Sequence, residues 1–134
     1  MIGVMPQGLV EKEIAHRNLT ELRIVRSMHE RKAQMADLSD AFIALPGGMG
    51  TWEEFFEIAT WTQLGLHRKP YGVVNVEGYY EGLLTQADRA VEDGFLRPEH
   101  REMLLSHSDP EALLDLVLRY EPPMVAKWLV PAES

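Results

Sequence analysis

The apolar positions of this chain fall into short runs and longer periodic stretches that alternate along its length. Residues 1–5 (MIGVM) are a short apolar run closed by Pro6, the pattern of a buried strand entering a loop. Residues 7–20 carry Gly8, Asn18 and mixed charge, which predicts a loop with one helical turn at 11–16. Leu22, Ile24 and Val25 mark a second short strand. After Ser27, the spacing of Met28, Lys32, Met35 and Ala36 predicts a helix ending at 37–39. Residues 41–45 (AFIAL) are apolar on both faces, as a central strand of a parallel sheet should be.

A helix is expected from Trp52 to Gly65. Trp52, Phe55, Phe56, Ala59 and Leu66 occupy one side, and Ile58, Trp61 and Leu64 occupy others. That nearly all-round apolarity predicts burial on several sides, by the sheet and by another subunit. Residues 71–76 (YGVVNV) read as a fourth strand. A helix follows Gly78, with Tyr79, Leu83, Leu84, Ala87, Ala90 and Val91, and stops at Asp93-Gly94. Residues 95–106 are less regular, with a short strand at 103–105. Ser108-Asp109-Pro110-Glu111 is a helix start, and that last helix runs to Tyr120 before Pro122-Pro123. Strands alternating with helices give an α/β fold, a parallel sheet flanked by helices. The expected organisation is one domain over 1–121 and a loosely held tail over 122–134.

A length of 134 residues is enough for one hydrophobic core. With 46% apolar and 25% charged residues, disorder over most of the chain is not expected. The net charge of −8 argues against duplex nucleic acid as a partner. It leaves room for a small anion, which backbone N–H groups can hold whatever the overall charge. The absence of cysteine excludes disulfides, thiol nucleophiles and thiolate metal sites. His16, His29, His67, His100 and His107 show no ligand spacing, so neither a metal site nor a cofactor is expected. No apolar run has the length of a membrane span and no signal-peptide pattern is visible, which makes a cytoplasmic protein the default.

The stretch AFIALPGGMGTWEE carries the chemistry. A buried strand delivers Gly47, Gly48 and Gly50 to a tight turn, and a helix follows at once. Three glycines in four residues cost conformational entropy that a plain connection does not need. They let the backbone approach a ligand, and the helix N-terminus adds partial positive charge and donors suited to phosphate. The loop fits neither the G-x-G-x-x-G nor the Walker pattern, because no lysine follows the last glycine. Glu54 has two readings: Thr51-Trp52-Glu53-Glu54 fits a capping box, and a carboxylate here also suits catalysis. Arg31 and Lys32, in Met28-His29-Glu30-Arg31-Lys32, fit a solvated helix face as well as an anion site.

Together, SMHERKAQMADLSDAFIALPGGMGTWEE and IATWTQLGLHRKPYGVVNVEGYYEGLL resemble the LONELY GUY family, the cytokinin riboside 5′-monophosphate phosphoribohydrolases. The M-H-x-R-K element stands at residues 28–32 and P-G-G-x-G-T-x-x-E at 46–54, in the expected register, with Thr60-Trp61 also matching. The resemblance implies a dimeric Rossmann-like protein that cleaves AMP-like nucleotides to free base and ribose 5-phosphate. It implies that Gly48, Met49, Gly50 and Thr51 hold the 5′-phosphate, with Trp52 and Glu53 beside them. Arg31 and Glu54 match the catalytic pair, and Glu13, Lys32 and Thr60 match further substrate-contacting positions. Breaking an N-ribosidic bond develops oxocarbenium character, which a carboxylate beside the ribose stabilises or answers by activating water. Glu54 takes that part. Arg31 orients Glu54 or holds the nucleotide, through bidentate contacts that lysine does not reproduce. Many relatives carry an older label as possible lysine decarboxylases, yet the sequence has no pyridoxal-phosphate logic.

Family members normally have an earlier strand and helix with a G-G-G-x-x-G-L-M element lining the same pocket. This element has no counterpart here, so the domain is expected to be incomplete at its N-terminus and weakly active by itself. The alternative is a non-catalytic nucleotide or molybdenum-cofactor carrier, since such carriers share a related fold and a similar glycine-rich loop. The joint presence of Arg31 and Glu54 favours the hydrolase.

Overall fold

The computed structural model describes residues 2–6 and 21–121. The turn expected at 11–16, Glu13 within it, and the tail over 122–134 lie outside the described residues. The chain divides into two compact units, residues 1–39 and 40–134.

In the first unit, β1 (Ile2–Pro6) and β2 (Glu21–Val25) pair in parallel, with Ile2 opposite Glu21 and Pro6 opposite Val25. The helix α1 (Met28–Leu38) follows where the sequence pattern placed it. Its start is secured by its own side chains. Ser27 Oγ accepts from the Glu30 N–H at 3.2 Å, and the Glu30 carboxylate accepts from the Arg26 N–H at 3.0 Å. This is a near relative of the capping box, reaching back one residue further. At the other end the Ser39 hydroxyl donates to the Met35 carbonyl at 2.6 Å.

The second unit is built on a parallel sheet of β3 (Phe42–Ala44), β4 (Tyr71–Val74) and β5 (Leu104–His107), in the order β3-β4-β5. Within this unit β4 lies between β3 and β5 and is buried at all four positions. Apolarity on both faces marks both strands alike; the crossovers decide which one lies between the others. Alternate β4 residues point to opposite faces. Tyr71 and Val73 join Ala44, Phe55, Tyr80, Leu84 and Met103 in one core, against α2 (Met49–Gln63) and α3 (Glu81–Glu92). Val74 joins Leu113 and Val117 in another, against the C-terminal helix Pro110–Arg119. A Cβ at Gly72 would stand 2.9 Å from Leu113 Cδ1 and 3.0 Å from the Leu105 carbonyl oxygen. Glycine there is what lets the C-terminal helix lie on the sheet.

Three local outcomes differ from the sequence pattern. The irregular stretch 95–106 contains a short helix, α4 (Pro98–Glu102), opened by proline at its first turn; the strand after it is 104–107 in place of 103–105. The C-terminal helix is therefore α5 (Pro110–Arg119). Second, α2 starts at Met49, inside the glycine-rich loop, and not at Trp52. Third, the side chains that the pattern grouped on one side of α2 are split: Phe55 is buried, whereas Phe56 is 50% exposed and Leu66, just past the helix, is 68% exposed. Phe56 lies about 100° round the helix from Phe55, outside the stripe that the sheet covers. Among the described residues, no helix is long and apolar enough to cross a membrane.

Candidate active site

β3 ends at Ala44, and the chain turns through Pro46, Gly47 and Gly48 into α2. Gly48 is the N-cap of that helix, no side chain caps it, and its first turn holds no acidic residue. The first intrahelical bond runs from the Trp52 N–H to the Gly48 carbonyl at 3.0 Å. The amides of Met49, Gly50 and Thr51 thus precede the helix's own ladder and lie at the positive end of its dipole. The loop also sits at the carboxyl end of a parallel strand, where open α/β sheets usually take ligands.

The three glycines differ in what they do. None has a positive φ, so the loop does not use glycine's left-handed freedom. A Cβ at Gly47 would fall 2.3 Å from Thr51 Oγ1, so Thr51's packing requires glycine there. At Gly48 and Gly50 an added Cβ would meet nothing within 4 Å. Both residues are exposed, and nothing among the described residues fills the space above them.

The capping-box reading of Thr51 and Glu54 does not hold. Gly48 occupies the N-cap, which places Thr51 third and Glu54 sixth in the helix. The glycine pair lets the helix begin one turn earlier than a threonine cap would. Glu54 is half-buried. It lies one turn on from Gly50, on the same face of the helix. Trp52 is half-buried, whereas Met49 and Glu53 are exposed.

Thr60 is placed elsewhere. It follows Thr51 by nine positions, half a turn out of phase and roughly 13 Å further along the axis. Its exposed hydroxyl donates to the Phe56 carbonyl at 2.7 Å. The helix does not bring Thr60 to the glycine loop.

In the first unit, the solvated-face reading of Arg31 and Lys32 is corrected. Lys32 is only 8% exposed and Arg31 is half-buried, whereas neighbouring His29 is exposed. The α1 stripe that carries Lys32 and Ala36 is the one turned inward. Burying an ammonium is costly away from counter-charge, which sets Lys32 apart from a surface lysine.

The connection after β4 departs from the sequence pattern: the strand ends at Val74 and not at 76, and Tyr79 stands before the helix, which starts at Glu81. Asn75 takes the His107 carbonyl through its backbone N–H at 2.9 Å, and its side-chain oxygen accepts from the Tyr80 N–H at 2.8 Å. Glu77 (φ 50°) and Gly78 (φ 75°) are both left-handed, and they turn two tyrosines toward the glycine loop. The Tyr80 hydroxyl donates to the Leu45 carbonyl and the Tyr79 hydroxyl to the Gly47 carbonyl. Their rings meet edge to face at 5.0 Å. Burial, and then neighbouring Tyr79, pushes the Tyr80 phenol above its ordinary range. The sequence signal was Tyr79-Tyr80 directly after a turn glycine at the end of a buried strand. Beside this connection lies an open, mostly apolar cleft of about 620 Å³ that includes Trp52, Phe56, Tyr79, Leu83 and Arg101.

Residues 1–117 match the family described as "Possible lysine decarboxylase". The chain belongs to this family, the LONELY GUY family. It is 51% identical over 122 residues to a probable cytokinin riboside 5′-monophosphate phosphoribohydrolase of Oryza sativa subsp. japonica, covering 91% of this chain and 58% of that protein. Two cytokinin riboside 5′-monophosphate phosphoribohydrolases of Arabidopsis thaliana are 49% and 48% identical over the same length, with 57% and 56% of their own chains covered. The chain thus spans a little over half the length of these relatives. The older family description names a decarboxylase, but all three of these relatives are named as hydrolases of a nucleotide.

Proposed function

We propose that this LONELY GUY family chain carries phosphate-binding and catalytic residues of a phosphoribohydrolase, an enzyme that cleaves a nucleoside 5′-monophosphate to free base and ribose 5-phosphate. The observation that carries the reading is the pair Gly48 and Gly50, whose missing side chains leave open space in front of an uncapped helix N-terminus. Protein packing does not explain glycine at those positions; close approach by an anion does. The 5′-phosphate sits against the amides of residues 48–51 and the Thr51 hydroxyl. Glu54 stands within the same first turns, where its carboxylate meets positive charge growing on the ribose or takes a proton from the attacking water. The C1′–N bond breaks, the base leaves with a proton, and water supplies the hydroxyl on C1′. Arg31 is the other member of the catalytic pair by family correspondence; Glu13 and Lys32 contact substrate on the same ground, and so does Thr60, at a part of the substrate away from the 5′-phosphate.

The names of the relatives support a cytokinin riboside 5′-monophosphate or AMP as substrate. The open apolar face of α2 supports a homodimer packed partly through Phe56 and its neighbours. The deciding experiment incubates the protein with AMP and with N6-isopentenyl-AMP and follows free base by chromatography. Base release that disappears in Glu54→Gln is expected. A well-folded sample that binds neither nucleotide would overturn the reading.

A further inference from the structure

Two hydroxyls from one connection, each on a main-chain carbonyl of another, are more than ordinary packing requires. Leu45 and Gly47 flank Pro46 in the turn that leads from β3 to Gly48. Tyr79 and Tyr80 reach their carbonyls from 32 and 35 residues further along the chain. A trans peptide is planar, and its C=O and N–H point in opposite directions. Holding the Gly47 carbonyl therefore also sets the direction of the Gly48 N–H, away from Tyr79. The Pro46 nitrogen carries no hydrogen, so the Leu45 carbonyl aims no donor; Tyr80 there fixes the root of the turn.

The two tyrosines are unequally buried. Tyr80 is 3% exposed and belongs to the core with Ala44, Phe55 and Tyr71. Tyr79 is 50% exposed, and its hydroxyl holds a carbonyl in the segment immediately before Gly48. A carbonyl turned toward a bound anion would repel it. A loop free to flip the peptide between Gly47 and Gly48 would present the carbonyl in place of the N–H. Glycine on both sides makes that flip cheap, so an external tether is needed to prevent it.

We propose that Tyr79 is a positioning residue of the phosphate loop: its hydroxyl holds the Gly47 carbonyl so that the Gly48 N–H faces the 5′-phosphate, while Tyr80 anchors the turn behind it. The inference rests on the phosphate-loop reading given above. Its ligand class is the phosphomonoester of the nucleotide, with the base and ribose outside its reach.

Tyr79→Phe removes one hydroxyl and keeps the ring, so folding should be preserved. Three quantities are measured on wild type and variant: kcat and KM for AMP, affinity for ribose 5-phosphate, and kcat/KM for adenosine. Loss of one oriented donor to a charged group is expected to raise KM for AMP and the Kd for ribose 5-phosphate by about tenfold. The kcat should stay within about twofold, because the phosphate contact is made equally in ground and transition states. The kcat/KM for adenosine, which lacks the phosphate, should not change. A merely structural role would lower adenosine and AMP turnover together. A wild type that binds AMP and ribose 5-phosphate, with a variant that binds both equally well, overturns the tether alone. A wild type that binds neither ligand overturns it together with the phosphate-loop reading.

Discussion

Two helices of the second unit begin just after a parallel strand, and they begin in opposite ways. α5 opens on Asp109, whose carboxylate accepts from the Ala112 N–H at 3.0 Å, with Pro110 filling the first helical position. α2 opens on Gly48 with no side-chain cap and no acid in its first turn. Both ends face the same electrostatic problem: first-turn amides and a dipole that attract negative charge. α5 supplies that charge from its own sequence. α2 leaves it to something outside, and clears the side chains from the approach. The difference separates a helix start made for stability from one made for a ligand.

The largest effect that sharpens this contrast is expected at Glu54. If the start of α2 is functional, Glu54→Gln should lower base release on the order of 1,000-fold. Its unfolding free energy should stay within about 0.5 kcal/mol of wild type, as measured by denaturant titration. A variant that melts early while retaining turnover would make α2 a structural start after all.

Next comes an exchange of caps. Gly48→Asp gives α2 the carboxylate that α5 already has, and the open space at Gly48 admits the side chain. Stability should rise by about a few tenths of a kcal/mol, while AMP affinity by calorimetry falls on the order of 100-fold, through like-charge repulsion in the phosphate position. Unchanged affinity would show that the anion does not bind there. The reciprocal change, Asp109→Ala, should cost about 1 kcal/mol of stability and leave nucleotide binding as it was.

The smallest effect lies at the far end of α2. His67 Nδ1 accepts from the Lys69 N–H at 3.1 Å and stands 3.4 Å from Thr62 Oγ1, with Phe42 and Trp61 around the ring. Burial first and Lys69 second hold this imidazole below its ordinary value of 6.5, against a backbone bond from Ile58 that raises it. The unfolded chain therefore takes up the proton more readily than the folded one. His67 contributes fully above pH 6.5, and that contribution is lost as pH falls toward the lower folded value. The thermal midpoint should drop between pH 7.5 and 5.5 less steeply in His67→Asn than in wild type, and equal slopes would remove His67 from the account.

The sequence by itself determined the elements and their order where a local signal was complete. Ser27, Asp109 with Pro110, and Asp93 with Gly94 mark helix ends through bonds that span a few residues, so they were legible without a fold. The apolar run of β4, the family motifs and the glycine-rich turn were legible for the same reason. The tertiary structure decided what depends on distant partners. It placed β4 between β3 and β5, required Gly72 beneath Leu113, and assigned Gly48 the cap that Thr51 seemed to hold. It also turned Lys32 inward and set Tyr79 and Tyr80 on carbonyls more than thirty residues away. Periodicity and caps are encoded within one or two helical turns. A hydroxyl's partner is fixed only when crossovers bring two strand ends side by side.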